Sequence, residues 1–179
     1  ADGGTRTAAI TGGYVALAIL AAAPERVQGI AMLCTAPFAD SPEAASKRQA
    51  SLRAVEEGRY FELIEQQVGN AFHPDSLSDA VLMAARKQMV RDYGPERYAA
   101  HVRATSTRPD RMALLDGRRP TLVLTASHDK VFPPESVRDY GGRIPGAQQK
   151  RIEGAGHLVP MEKPAEVADA LARWIGVHA

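Results

Sequence analysis

The chain holds 179 residues, enough for one domain with a real core, and its 45% apolar and 24% charged residues are ordinary for a globular protein. A formal net charge of +1 gives no reason to expect nucleic acid as a partner. The single cysteine, Cys34, excludes an internal disulfide and fits a reducing, cytoplasmic compartment.

The first nine residues, ADGGTRTAA, show neither helical nor strand period and read as a loose leader. From Gly12 the character changes. GGYVALAILAAAPERV is apolar almost all round, the mark of a helix buried in a larger body, and it stops at Pro24. Its apolar stretch from Tyr14 to Ala23 is far short of the about 20 residues that span a bilayer, so no membrane partner is expected. No signal peptide is visible, an absence of little weight in a chain that begins at Ala1 without a methionine. VQGIAMLCTAP then forms a continuous apolar run, which suits a parallel strand covered on both faces.

The segment 41–116 differs. Phe61, Ile64, Val68 and Phe72 recur at helical spacing, as do Leu82, Ala85, Met89 and Tyr93, with breaks at Gly58, Pro74 and Gly94-Pro95. This predicts an all-helical insertion, a cap, between two strands. Phe61, Phe72, Met83, Met89 and Tyr98 either line an apolar pocket there or form the insertion's own core.

Strand–helix alternation resumes with the strand PTLVLTA, a helix opened by prolines in PPESVRDYGGRIPG, and the short strand QQKRIEGAG. A closing helix follows in PAEVADALARWIGVH, with Pro164 in its first turn and Val167, Leu171, Trp174 and Ile175 on one face. The pattern is that of an α/β layered fold with a core of 1–40 and 117–179, the 41–116 cap inserted, and three evident strands near 29–35, 121–126 and 149–152.

Two segments concentrate chemistry. In LVLTASHDKVFPPE, Asp129 sits just past the carboxyl end of a strand; in EGAGHLVPMEKPAEV, His157 sits in the loop after the last strand. That edge of an open parallel sheet is where ligands and catalytic groups gather. Alone, such an aspartate is commonly a turn former and such a histidine commonly structural. Together, each following its own strand, they read as an acid–base pair. His73, His101, His128 and His178 show no metal-ligand spacing, so neither metal nor cofactor is expected, and His128 reads as a solvated loop residue.

From about Ala8 to the final helix the sequence resembles the α/β-hydrolase family, in its small capped branch. The resemblance rests on LVLTASHD, GAGHLVPMEKPAEV, PERVQGIAMLCTAPF and RPDRMALLDGRRPTLVL. It implies a Ser-His-Asp hydrolase of an ester, lactone or similar small-molecule carbonyl substrate, with Asp129 as triad acid and His157 as triad base. It also implies an incomplete fold: a parallel-sheet remnant flanked by helices, carrying a helical cap insertion.

The nucleophile motif fails. Setting Gly12 and Gly13 on the closing glycines of G-x-S-x-G places Ala8-Ala9-Ile10-Thr11-Gly12 on the motif, with Ile10 at the nucleophile position. Isoleucine cannot attack a carbonyl and tolerates a strained elbow poorly, so this turn is expected to be relaxed or disordered rather than a true elbow. Thr11 offers a backbone N–H for an oxyanion hole; as a nucleophile it would set Tyr14 where a small residue is wanted. Ser41, Ser46, Ser106, Thr107, Ser127 and Ser136 lack a small-x-Ser-x-small setting. The second oxyanion donor, from an earlier His-Gly loop, is missing too. Three readings remain open: an excerpt or altered form of a hydrolase, inactive as written; a ligand-binding relative; and an interaction module that self-associates through GIAMLC left at a sheet edge.

Overall fold

The computed structural model describes residues 4–9 and 11–178. Its elements are β1 (Gly4–Ala9), α1 (Thr11–Ala22), β2 (Val27–Leu33), α2 (Pro42–Glu56), α3 (Tyr60–Gln66), α4 (Val68–Ala71), α5 (Ala80–Ser106), β3 (Thr121–Ala126), α6 (Pro134–Gly141), β4 (Gln148–Ile152), α7 (Val159–Glu162) and α8 (Pro164–His178).

The strands pair in parallel in the order β1-β2-β3-β4, with Ala8 opposite Met32, Leu33 opposite Leu124, and Ala126 opposite Ile152. This corrects two expectations. The supposed leader holds β1, so the described sheet has four strands rather than three. β2 is then an interior strand, and the edges fall to β1 and β4. The strand was missed because GTRTAA has little apolar alternation; it is recruited by backbone pairing to β2, which a periodicity search cannot register.

Alternate residues of the inner strands feed two cores. Ile30, Met32 and Val123 pack with Leu17 and Leu20 of α1 and Val137 and Tyr140 of α6. On the opposite face Ala31, Leu33, Leu122 and Leu124 pack with Val167 and Trp174 of α8. β3 is buried throughout, whereas β4 (QQKRI) buries only Ile152. Its polar residues, including Lys150 and Arg151, keep that edge from inviting another strand. α1 departs from its expected all-round burial, leaving Val15 56% exposed and Ile19 37% exposed while Ala16, Leu17 and Leu20 are covered.

Between β2 and β3 the chain runs through four helices. Gly58, at φ 76°, turns the chain between α2 and α3, and Gly94, at φ 75°, kinks α5 just before Pro95. α2 opens on Ser41, whose Oγ accepts the Ala44 N–H.

Candidate active site

Because all four strands are parallel, their carboxyl ends share one edge, and each delivers a notable residue there. β2 leads into Cys34, the one non-glycine residue with positive φ (46°) among the described residues. β3 leads into Asp129 and β4 into His157. α1 begins at Thr11, whose N–H belongs to a helix first turn and so has no intrahelical acceptor. Ile10, between the end of β1 and the start of α1, lies outside the described residues, and so does the expectation of a relaxed turn there.

Asp129 and His157 meet. His157 Nδ1 lies 3.0 Å from Asp129 Oδ2, and both side chains are buried. The other carboxylate oxygen, Oδ1, accepts the backbone N–H groups of Val131 (2.8 Å) and Phe132 (2.9 Å). Asp129 is thus both a turn former and a partner for the imidazole. An acceptor at Nδ1 fixes the neutral ring with its proton there, leaving a Nε2 lone pair. That nitrogen makes no hydrogen bond among the described residues, and His157 lines a 780 Å³ cleft with Phe132, Ser136 and Tyr140.

The histidine loop is anchored from both sides. Leu158 donates its N–H to Ala71 O at 3.0 Å. Glu162 accepts the Gly156 N–H at Oε1 and the His73 N–H at Oε2, both at 2.7 Å. Gly156 has to be glycine here, since a Cβ would stand 2.7 Å from Phe72 C and 2.9 Å from Ala71 O. The acid loop touches the same segment: Lys130 Nζ donates to Gly69 O at 3.0 Å, and the His128 ring meets the His73 ring edge-on at 4.2 Å. His128 is exposed, as expected of a loop residue, but it is not isolated.

Cys34 lies behind the acid. Burial first, then the negative charge of Asp129 and a hydrogen bond to it, raise the thiol far above its ordinary pKa. A thiol held protonated in this way cannot serve as a nucleophile. At the helical end of the cleft, buried Asp40 accepts Arg48 Nε and Arg108 Nη2, each at 2.6 Å. Burial alone would raise the Asp40 pKa; the hydrogen bonds and charges of the two arginines outweigh it and hold the carboxyl below its usual range. Arg108 also lies over the Tyr14 ring, 4.0 Å from its centroid. α1 comes close because residue 13 is glycine: a Cβ would meet Thr35 Cγ2 at 2.5 Å.

Ser127 and Ser106 are engaged elsewhere, while Ser136 lines the cleft. Ser127 Oγ accepts the Gly154 N–H and pairs with His128 Nδ1, and Ser106 Oγ donates to Val102 O. No hydroxyl bonds His157 among the described residues, nor does any group of three or more His, Cys, Asp or Glu there sit so as to hold a metal ion. None of the helices described is long and apolar enough to cross a membrane.

Glu162, Asp40 and Arg108 carry no signature in the sequence. Each has at least one partner far along the chain, 89 residues away for Glu162 and His73. Of the five apolar residues singled out in the helical segment, Met89 and Tyr98 line cavities and Phe72 is buried, while Phe61 is 53% exposed.

Residues 11–164 match the family model described as alpha/beta hydrolase fold. Among solved structures, a thermophilic esterase from Thermogutta terrifontis (malate bound) is 32% identical and superposes with a TM-score of 0.88 over 97% of this chain and 65% of its own. The enol-lactonase from Burkholderia xenovorans LB400, at 21% identity, shares the fold with a TM-score of 0.80 over 96% of this chain and 65% of its own. Bifunctional epoxide hydrolase 2 of Rattus norvegicus is 39% identical over 56 residues, which are 31% of this chain and 10% of that protein. The chain therefore spans about 65% of the length of these solved relatives.

Proposed function

The chain belongs to the α/β-hydrolase fold family, and on that premise we propose that it carries the acid–base half of a serine-hydrolase site for esters, lactones or similar carbonyl compounds, without the nucleophile needed for turnover. The buried Asp129–His157 pair carries this reading, with Nδ1 held by the carboxylate, Nε2 without a hydrogen bond among the described residues, and the histidine lining a cleft. The esterase and lactonase relatives support the substrate class. The helices of 41–116 serve as the cap over a core of 1–40 and 117–179, and roof the cleft.

In a form with serine at position 10, His157 Nε2 takes the hydroxyl proton as Oγ attacks the carbonyl carbon. Asp129 stabilises the resulting imidazolium, and the Thr11 N–H helps hold the oxyanion. The proton then passes to the leaving group, and water, activated by the same nitrogen, releases the acid. This chemistry needs no metal or organic cofactor. With Ile10 the base has nothing to activate, and loss of a triad nucleophile costs up to roughly a million-fold in rate. Ligand binding without turnover is the companion reading, favoured by the intact cleft beside an isoleucine.

The test is hydrolysis of p-nitrophenyl acetate by the chain, His157→Ala and Ile10→Ser. The chain and His157→Ala should be equally inactive. Ile10→Ser should gain turnover, or covalent labelling by a fluorophosphonate, that vanishes in Ile10→Ser/His157→Ala. His157-dependent turnover in the unaltered chain would reveal another nucleophile and overturn the inactivity. An Ile10→Ser chain that neither turns over nor labels would remove the assignment of position 10.

A further inference from the structure

Within the helical cap, α3, α4 and α5 border a second pocket of 380 Å³, partly open to solvent beside the half-exposed Met89 and within the roughly 300–1,000 Å³ typical of small-ligand pockets. It adjoins the cleft, since Gln67, Ala71 and Tyr98 line both. Leu158, the residue after His157, forms part of its wall. Ile64, Val68, Met89 and Val90 make the remaining wall mostly apolar.

Its polar groups are largely committed. Arg86 is buried and engaged by Glu65 at 2.5 Å and by Ile64 O at 2.8 Å. Tyr60 donates to Val90 O at 3.1 Å. The Tyr93 hydroxyl pairs with His101 Nδ1. Burial, and then the charge of Arg48, lower the His101 pKa and favour the neutral ring. With Nδ1 of the neutral ring as acceptor, the Tyr93 O–H donates to it, and the phenol oxygen can still accept one hydrogen bond from a ligand. Among the described residues lining the pocket no uncommitted charge is available to compensate an ionised group, which would be costly to desolvate there.

We propose that this chamber receives the uncharged apolar group, aryl or branched alkyl and tolerating one hydroxyl, of a carbonyl ligand whose carbonyl lies beside His157. The carbonyl's position rests on the reading of the cleft given above; the chamber's preference for an uncharged apolar group does not.

The test titrates the chain with 4-phenyl-2-butanone, 2-butanone and 4-(3-oxobutyl)benzoate, following side-chain NMR signals and calorimetric affinity. The phenyl ketone should bind at least about tenfold more tightly than 2-butanone and than the benzoate. It should shift the methyl signals of Ile64, Val68 and Met89 and the ring signals of His157, while core Val123 stays still. Val68→Phe should abolish the phenyl preference and leave 2-butanone binding unchanged. Shifts confined to cleft residues such as Phe132 and Val137, full phenyl affinity in a folded Val68→Phe chain, or no binding of the phenyl ketone would each overturn the chamber. Shifts in the chamber without any at His157 would retain the chamber and reject the carbonyl reading of the cleft. The wild-type shift map decides even if Val68→Phe fails to fold.

Discussion

The Glu162 carboxylate accepts the backbone N–H of His73 at 2.7 Å, and its second oxygen takes the N–H of Gly156 at the same distance. One side chain thereby joins the loop of His157 to the helical segment above it. Charge-assisted hydrogen bonds of this kind are worth about 1.5–3 kcal/mol each, most of it felt when the acceptor is removed. Glu162→Ala should destabilise the protein by about 2–4 kcal/mol. The amides of Gly156 and His73 should lose hydrogen-exchange protection together. Unchanged protection at both would show that the carboxylate does not hold them.

Cys34 should not react with a water-soluble disulfide reagent in the native state. The thiol is buried, and burial together with the Asp129 charge keeps it protonated, whereas the reactive form is the thiolate. One equivalent should appear only on unfolding. Rapid native labelling would contradict its burial behind Asp129.

Asp40 and His101 make the fold acid-sensitive in two windows. His101 has a folded pKa below its unfolded value, so the unfolded chain takes up that proton first, and stability falls as pH drops below about 6.5. Asp40 has a folded pKa below the usual carboxylate value. Its contribution is present above about pH 4 and is lost as pH falls through the folded pKa. Denaturant unfolding across pH should show both falls. Asp40→Ala should shrink the lower one and cost about 3–5 kcal/mol near neutrality, because the Arg108 side chain is then covered without its carboxylate partner.

Gly13→Ala should destabilise by about 1–3 kcal/mol, since its Cβ would overlap the Thr35 side chain at 2.5 Å. Thr35→Ala should recover most of that loss in the double variant. Additive losses would mean that the close approach of α1 to the end of β2 is not what requires glycine.

β1 is an outer strand of the described sheet, and a strand with one unpaired side is a template for another chain. Sedimentation velocity over a concentration series should show an average mass rising above the 19.2 kDa of one chain. A monomer at every concentration would set aside self-association through this edge.

Much of the fold was legible because it is written in local chemistry. The apolar run of β2 and β3, the proline-opened helices α6 and α8, and the glycine breaks at 58 and 94 each act within a few residues. Asp129 and His157 could be placed on the right edge from their positions after strands, because parallel strands bring all their carboxyl ends together. What the residue pattern could not provide depends on partners distant in sequence. β1 is held by pairing to β2 rather than by its own apolar period. The uncovered side of α1, the Glu162 bridge and the buried Asp40–Arg108 pair follow from which surfaces the fold presses together. The same holds for the 3.0 Å contact itself: sequence order made a meeting of Asp129 and His157 expected, and only the packed β3 and β4 loops decided the distance, because hydrogen-bond geometry is fixed by tertiary contacts.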